Sequence, residues 1–128
     1  MKPPPSTEDV LQATADAYGV EVSYILKDTR KEEVVRLRHT AQYLCRRFVW
    51  ASLERIGEKT GGKDHATITH AYKKMSWWYG RYNDPTFYIN KIINLLDERG
   101  FDVSRDVVRI LDEGLYTTEN VFYKNETA

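Results

Sequence analysis

The chain has 128 residues, a mass of 15.0 kDa and a formal net charge of zero, because its 19 basic and 19 acidic residues cancel. This length allows one domain, or one domain with a small appendage, and a content of 41% apolar and 30% charged residues argues against disorder. No apolar run approaches the ~18 to 20 residues of a membrane span, no signal peptide opens the chain, and the single cysteine excludes an internal disulfide, so we expect a reduced, cytoplasmic setting.

The first predicted element is a helix that follows the extended segment Pro3-Pro4-Pro5. Ser6 or Thr7 is the expected N-cap, because a side-chain oxygen there can accept from the unpaired amides of the first turn. The helix is expected to end at Tyr18-Gly19, and its buried stripe is Val10, Leu11, Ala13 or Thr14, Ala17 and Tyr18. Another helical turn is predicted from Val22 to Leu26.

A basic loop, Lys27 to Lys31, precedes the longest predicted helix. From Glu32 we expect about five turns, because apolar residues recur at helical spacings: Val34, Leu37, Ala41, Leu44, Cys45 and Phe48. A helix of this length can be the central scaffold of an all-α domain. Its basic residues are either a solvated helix face or a surface that contacts phosphates: Arg36, Arg38, His39, Arg46 and Arg47.

A helix-turn-helix is predicted next. A short helix around Leu53 and Ile56 is followed by the pair Gly61-Gly62, which breaks it, and by Asp64, which can cap a new helix. The second helix has one apolar face, formed by Ile68, Ala71, Tyr72, Met75, Trp78 and Tyr79. In such a motif the second helix can enter a DNA major groove. Asp64, His65 and Thr67 would then reach base edges, and phosphates would be faced by Lys63, His70, Lys73 and Lys74.

The net charge of zero hides an uneven distribution. Residues 27 to 81 contain 13 basic and 6 acidic residues, a net charge of +7, so the rest of the chain carries −7. A basic middle segment between acidic ends favours a polyanionic partner at one surface. Ordinary fluctuation of charge along a sequence is the plainer explanation.

Several of these residues also have plainer roles. Asp64 could act only as a helix cap, and Tyr72, Met75, Trp77 and Trp78 are expected in the core rather than as stacking platforms for bases. His65 and His70 make a poor metal pair, because five helical residues turn them about 140° apart. No pattern of residues indicates a catalytic site or a cofactor.

Two more helices are predicted in the last third. One starts at Asn83-Asp84-Pro85, is stopped by Gly100 and has a broad apolar face: Tyr88, Ile89, Ile92, Ile93, Leu95 and Leu96. The other is capped by Ser104, contains Val107, Val108, Ile110 and Leu111, and ends at Gly114. These helices either cover the core, including Trp77 and Trp78, or offer a protein partner a surface within residues 85–111. Residues 115–128 are expected to form a loose tail.

The run GGKDHATITHAYKKM, residues 61–75, resembles the signature of the C-terminal DNA-binding domain of the DnaA family of bacterial replication initiators, GGRDHTTVLHA followed by basic residues. Residues 25–39, ILKDTRKEEVVRLRH, resemble that domain's basic loop and long helix, and SLERIG at 52–57 resembles SLPEIG. The resemblance extends from about Val10 to about Tyr79. It implies a Trp-repressor-like, DnaA C-terminal-like all-α fold.

The resemblance also implies roles for single residues. Arg30 matches the arginine that reaches the minor groove, and Arg36 and Arg38 match a basic pair that contacts phosphates. The residues that match the major-groove readers are Leu53, Asp64, His65, Ala66 and Thr67. The chain departs from the family at three positions: Glu32 replaces a basic residue, Glu54 a proline and Ala66 a threonine.

We therefore expect three regions: a DnaA C-terminal-like helix-turn-helix region at 1–82, a helical extension packed on it at 83–114, and a tail at 115–128. The expected function is sequence-preferring binding of double-stranded DNA in the nucleoid, in replication or transcription control or as a phage or mobile-element accessory protein. We expect no enzymatic activity, and no nucleotide binding, because there is no Walker motif and no room for the initiator's ATPase module. The alternative is a protein-interaction module that keeps the fold, which Glu32 and Glu54 favour.

Overall fold

A computed structural model describes residues 1–107, which form six α-helices and, within that range, no strand. The helices are α1 (Thr7–Tyr18), α2 (Val22–Ile25), α3 (Glu32–Phe48), α4 (Leu53–Lys59), α5 (His65–Trp78) and α6 (Asn83–Glu98). The predicted all-α fold is confirmed, and α4, the glycine turn and α5 form the predicted helix-turn-helix. In the described part of the chain, no helix has the length and apolar content needed to cross a membrane.

The ends of α1 follow from its caps. The Ser6 hydroxyl accepts from the Asp9 amide at 3.1 Å, and the Asp9 carboxylate accepts from the Ser6 amide at 2.8 Å. This reciprocal pair satisfies two amides that the first turn leaves unpaired. Gly19 ends the helix at φ 69°, a left-handed conformation that costs glycine little. The predicted cap and stop are both confirmed.

Helix α3 is the scaffold of the core. Its predicted apolar residues are all buried, and it packs against α1, α4 and α5. The largest buried cluster combines residues from five of the helices, among them Val10 of α1, Leu44 of α3, Ile56 of α4, Ile68 of α5 and Ile92 of α6. The recognition helix of the motif therefore rests on the same core as the scaffold, and its position is fixed by packing.

Helix α6 continues this core. It packs mainly across α1, with Ile89, Ile92 and Leu96 fully buried, while Tyr88 stacks on Tyr18 at a ring distance of 4.1 Å. The predicted start at Asn83-Asp84-Pro85 is confirmed, since Asn83 is the first helical residue; Tyr82 precedes it as N-cap without a side-chain bond. The predicted stop holds, since Gly100 follows the helix at φ 91°.

Trp77 is not in the core: its side chain is 58% exposed and its ring stacks on the Arg81 guanidinium at 3.8 Å, whereas Trp78 is half-buried. The Ser104-capped helix falls mostly outside the described residues, which include only its buried Val107. Its remainder, with Val108, Ile110 and Leu111, and the tail at 115–128 lie there too.

Candidate DNA interface

The start of α5 is fixed by a side-chain cap. The Asp64 carboxylate oxygen Oδ1 accepts from both the amide and the hydroxyl of Thr67, at 2.9 Å each. These hydrogen bonds favour the ionised form and hold the pKa of Asp64 below its usual value. Asp64 nevertheless stays exposed at the helix N-terminus, beside the exposed His65 and Ala66. The predicted cap is confirmed, and it sits where the predicted base readers begin.

The turn of the motif depends on a close backbone approach at Gly57. The Lys63 amide donates to the Gly57 carbonyl at 2.9 Å, and a Cβ built on Gly57 would lie 2.0 Å from the Lys63 carbonyl oxygen. No side chain fits in that space. Gly61 and Gly62 then reverse the chain with φ of 104° and 70°. Together these glycines set the angle between α4 and α5.

The outward face of α5 gathers most of the predicted DNA-contacting residues. Ile68, Ala71 and Met75 are buried on the inner side of the helix. The outer residues are exposed or half-buried: His65, Ala66, Thr67, His70, Lys73 and Lys74, with Lys63 just before the helix. Leu53, a predicted major-groove reader, is half-buried at the start of α4 and packs partly on the core.

Arg38 does not occupy the surface position predicted for it. Its side chain is only 4% exposed. The guanidinium Nε donates to the Ile25 carbonyl at 3.1 Å, and Nη2 donates to the Lys27 carbonyl. Arg38 is therefore buried away from the solvent where backbone phosphates would lie, and its contacts hold the chain that leads into the basic loop. The prediction that it contacts phosphate is corrected accordingly.

The same side chain brings the basic loop beside the motif. A Cβ built on Gly61 would lie 3.8 Å from Arg38 Nε and 3.8 Å from Lys63 Cε, so the guanidinium borders the turn between α4 and α5. Its other contacts are the backbone at Ile25 and Lys27. Arg38 thus links the start of the 27–31 loop, which carries the exposed Arg30, to the turn before the recognition helix.

His39 supports a neighbouring cation and is half-buried. Its Nδ1 lies 2.9 Å from Lys74 Nζ, and because an ammonium can only donate, Nδ1 accepts. Burial, followed by the charges of Lys74, His70 and Arg38, lowers the pKa of His39 to about 4. The imidazole is therefore neutral near pH 7 and holds Lys74, whose Nζ also lies 4.8 Å from the Trp78 ring. His39 was predicted as a DNA contact; its position suits an indirect role.

Arg36 is the residue of the predicted pair that reaches the surface, with a side chain 37% exposed. Acidic groups surround it: its guanidinium lies 3.6 Å from Asp84 of α6 and 4.0 Å from Glu32. No local sequence signal places Asp84 on this surface, since it stands 48 residues away from Arg36 in the chain. No group of three or more His, Cys, Asp or Glu within residues 1–107 is arranged to hold a metal ion.

The chain is similar to known proteins over the region that builds this surface. Residues 7–75 match the family model described as the bacterial dnaA protein helix-turn-helix. Three relatives named chromosomal replication initiator protein DnaA illustrate the similarity. The protein of Cutibacterium acnes is 32% identical over 95 residues, 74% of this chain and 19% of the relative. That of Paraburkholderia xenovorans is 37% identical over 71 residues, which are 56% of this chain and 13% of the relative. That of Citrifermentans bemidjiense is 43% identical over 70 residues, which are 54% of this chain and 15% of the relative. The matched region is thus about a fifth or less of each relative's length.

Proposed function

The chain belongs to the bacterial DnaA helix-turn-helix family, a family of DNA-binding domains, and we propose that it binds double-stranded DNA with a sequence preference. In this proposal α5 lies in the major groove, where a helix fits, and the 27–31 loop reaches the neighbouring minor groove. The single observation that carries the proposal is the Arg38 linkage, because it joins the loop and the turn before α5 at one surface.

Base reading is assigned to the first turn of α5. His65, Ala66 and Thr67 offer an imidazole, a methyl group, and a methyl with a hydroxyl; such groups can contact base edges. Asp64 belongs to this set through its exposed position, although its Oδ1 is already engaged with Thr67. Leu53 adds an apolar contact from α4. These contacts would set which sequence is preferred.

Backbone positioning is assigned to the cations around the reading residues. Arg36, Lys63, Lys73 and Lys74 are exposed or half-buried on this side, and His70 lies between them on the outer face of α5. His39 acts through Lys74, and Arg38 acts by shaping the loop. Phosphate contacts of this kind strengthen binding to every sequence and orient the protein on the duplex.

Arg30 is the proposed minor-groove residue. It is exposed in the loop whose start Arg38 holds, and a guanidinium is attracted to the strong negative potential of a narrow minor groove. Narrow grooves occur at A·T-rich steps, and the minor groove hardly separates A·T from T·A. The preferred site would therefore carry an A·T-rich flank beside the sequence read by α5.

The process is proposed from the relatives, which are named chromosomal replication initiators. We assign the chain to DNA recognition in replication control, since recognition is what the matched region can supply. Roles in transcription control and as a mobile-element accessory protein, and nucleoid association, remain predictions.

A protein-interaction module is the second candidate, and exposed aromatic residues favour it. Trp77, Tyr82 and Phe87 are 58%, 53% and 60% exposed around the end of α5 and the start of α6, and Phe87 lies within residues 85–111, where a protein partner was predicted. Aromatic residues are enriched in protein interfaces. The two candidates are separated by DNA selection, which a pure protein-binding module would fail.

The test is selection of bound sequences from a random duplex library, followed by binding of the enriched site over a range of salt concentrations. Five cations are proposed to lie against the phosphate backbone's negative charge: Arg36, Lys63, Lys73 and Lys74 at phosphates, and Arg30 in the minor groove between them. If they each neutralise one phosphate, log K should fall against log salt with a slope of roughly −4 to −5. Absence of an enriched motif would favour the protein-interaction module, and a slope near zero would show that the basic surface does not meet the backbone.

A further inference from the structure

The surface cation Arg36 is held by a carboxylate that lies beyond residues 7–75, the part of the chain that the family model matches. Asp84, in the first turn of α6, places Oδ2 3.6 Å from Arg36 Nη1, and Glu32 contributes a weaker contact at 4.0 Å. The side chains of Arg36 and Asp84 are 37% and 59% exposed. Both line an open depression of about 410 Å³, together with Trp78 and Tyr82. The ion pair is therefore accessible to a ligand that approaches from solvent.

The surroundings of this pair suit a phosphate. Lys74 lies close enough for Arg36 to lower its pKa, after the larger effect of burial, so the two cations repel each other. An anion placed between them would relieve that repulsion. Asp84 partly neutralises Arg36 in the unbound protein, and a phosphate that binds Arg36 must take its place. Asp84 and a DNA phosphate therefore compete for one guanidinium.

We propose that Asp84 sets the strength of DNA binding by competing with a backbone phosphate for Arg36, an inference that rests on the proposed DNA binding. Its effect is expected on all sequences alike, because a phosphate contact carries no sequence information. The matched family region ends at residue 75, so this control is supplied by α6.

The experiment compares Asp84→Asn with Asp97→Asn. Both variants remove one negative charge from α6, but Asp97 lies 13 residues further along, about 20 Å on a helix, and pairs with Lys2 at 2.8 Å. That separation is more than two Debye lengths of about 8 Å at physiological salt. Asp84→Asn should tighten binding about two- to fivefold, the strength of an exposed ion pair, on both the selected site and random duplex DNA. Its salt slope should steepen by up to about 0.9, one phosphate. Asp97→Asn should match the wild type.

A double variant identifies the cation. In an Arg36→Ala background, Asp84→Asn should give no further gain, because the competed group is gone. Equal affinities of Asp84→Asn and Asp97→Asn for random DNA would overturn the proposal, and so would a gain that persists without Arg36. Failure of the proposed function would show in a different experiment: selection from the random library would enrich no motif. If the protein binds random duplex DNA without preference, the affinities of Asp84→Asn and Asp97→Asn can still be compared. If neither the wild type nor Asp84→Asn binds any duplex DNA, the proposed function and the role of Asp84 are both refuted.

Discussion

Replacing Arg38 with alanine should lower the stability of the fold, and not only weaken DNA binding. The buried guanidinium makes two hydrogen bonds to backbone carbonyls, those of Ile25 and Lys27. Hydrogen bonds to charged groups contribute about 1.5 to 3 kcal/mol each, and a buried carbonyl left without a donor is costly. Burial of the guanidinium is itself unfavourable, and the variant no longer bears that cost. We therefore expect Arg38→Ala to lower the free energy of unfolding by about 2 to 4 kcal/mol.

The assay is urea unfolding followed by the circular dichroism of the helices, with Arg36→Ala as the matched control two residues away. Arg36 is partly exposed and its ion pairs are at the surface, so its loss should cost less than about 1 kcal/mol of stability. Arg36→Ala should nevertheless weaken binding to all duplex DNA and flatten the salt slope by about 0.9. Loss of Arg38 should thus mainly lower the free energy of unfolding, whereas loss of Arg36 should mainly weaken DNA binding.

Arg38→Lys sharpens the comparison. Lysine keeps the charge but has one compact ammonium, which cannot reproduce the fork of donors that reaches two carbonyls. The lysine variant should therefore remain destabilised. If Arg38→Ala unfolds at the wild-type urea concentration but loses salt-dependent DNA affinity, Arg38 is a surface phosphate contact and the buried role assigned to it is wrong.

The remaining predictions concern the turn, the reading residues and the buried imidazole. Gly57→Ala should destabilise the chain by about 1 to 3 kcal/mol through overpacking, because its Cβ would lie 2.0 Å from the Lys63 carbonyl oxygen; an unfolding free energy equal to that of the wild type would contradict the close approach. His65→Ala should reduce the preference for the selected site by about 1 to 3 kcal/mol with little change on random DNA, and equal losses on both would remove it from the reading set. Arg30→Ala should lose the A·T-rich flank while the core motif persists; loss of the core instead would contradict minor-groove contact. The depressed pKa of His39 means that the unfolded chain takes up a proton first as pH falls, so stability should decline from about pH 6.5 to about pH 4. His39→Gln should flatten that decline in urea unfolding, and an unchanged pH profile would show that another group causes it.

The helices could be predicted from the sequence because their signals are local. Apolar spacing placed α3 and α5, and Ser6, Gly19 and Asp64 marked helix ends that the structure confirms. These signals depend on hydrogen bonds within three or four residues, so no knowledge of the tertiary fold is needed. The predicted start of α6 at Asn83-Asp84-Pro85 is confirmed, and Thr86 in its first turn ties the helix to the preceding turn. Its hydroxyl accepts from the Gly80 amide and donates to the Tyr82 carbonyl, at 2.7 Å each.

Side-chain roles were harder to predict because they depend on distant backbone. Arg38 lies four residues after Val34 and three before Ala41, on their buried helical stripe, so periodicity alone indicated burial. The positive charge and the family resemblance outweighed that signal. What makes burial of the charge possible is a pair of carbonyls 11 and 13 residues earlier, and no local pattern reveals them. Trp77 was misplaced because its aromatic side chain was expected in the core; it is 58% exposed, and the Arg81 guanidinium covers its ring.

Helix α6 links the chain's extension to its DNA-facing surface, and this bears on how the molecule should be divided. The division into 1–82 and 83–114 remains a prediction, but Ile89, Ile92 and Leu96 lie in the same buried cluster as the residues beneath α5. Removing α6 would expose that cluster and also take away Asp84, with opposite effects on DNA binding: lost packing would weaken it, and release of Arg36 would strengthen it. Truncation would therefore confuse the two contributions. The Asp84→Asn substitution keeps the core intact and changes only the charge at Arg36, which is why it can reveal what α6 contributes to binding.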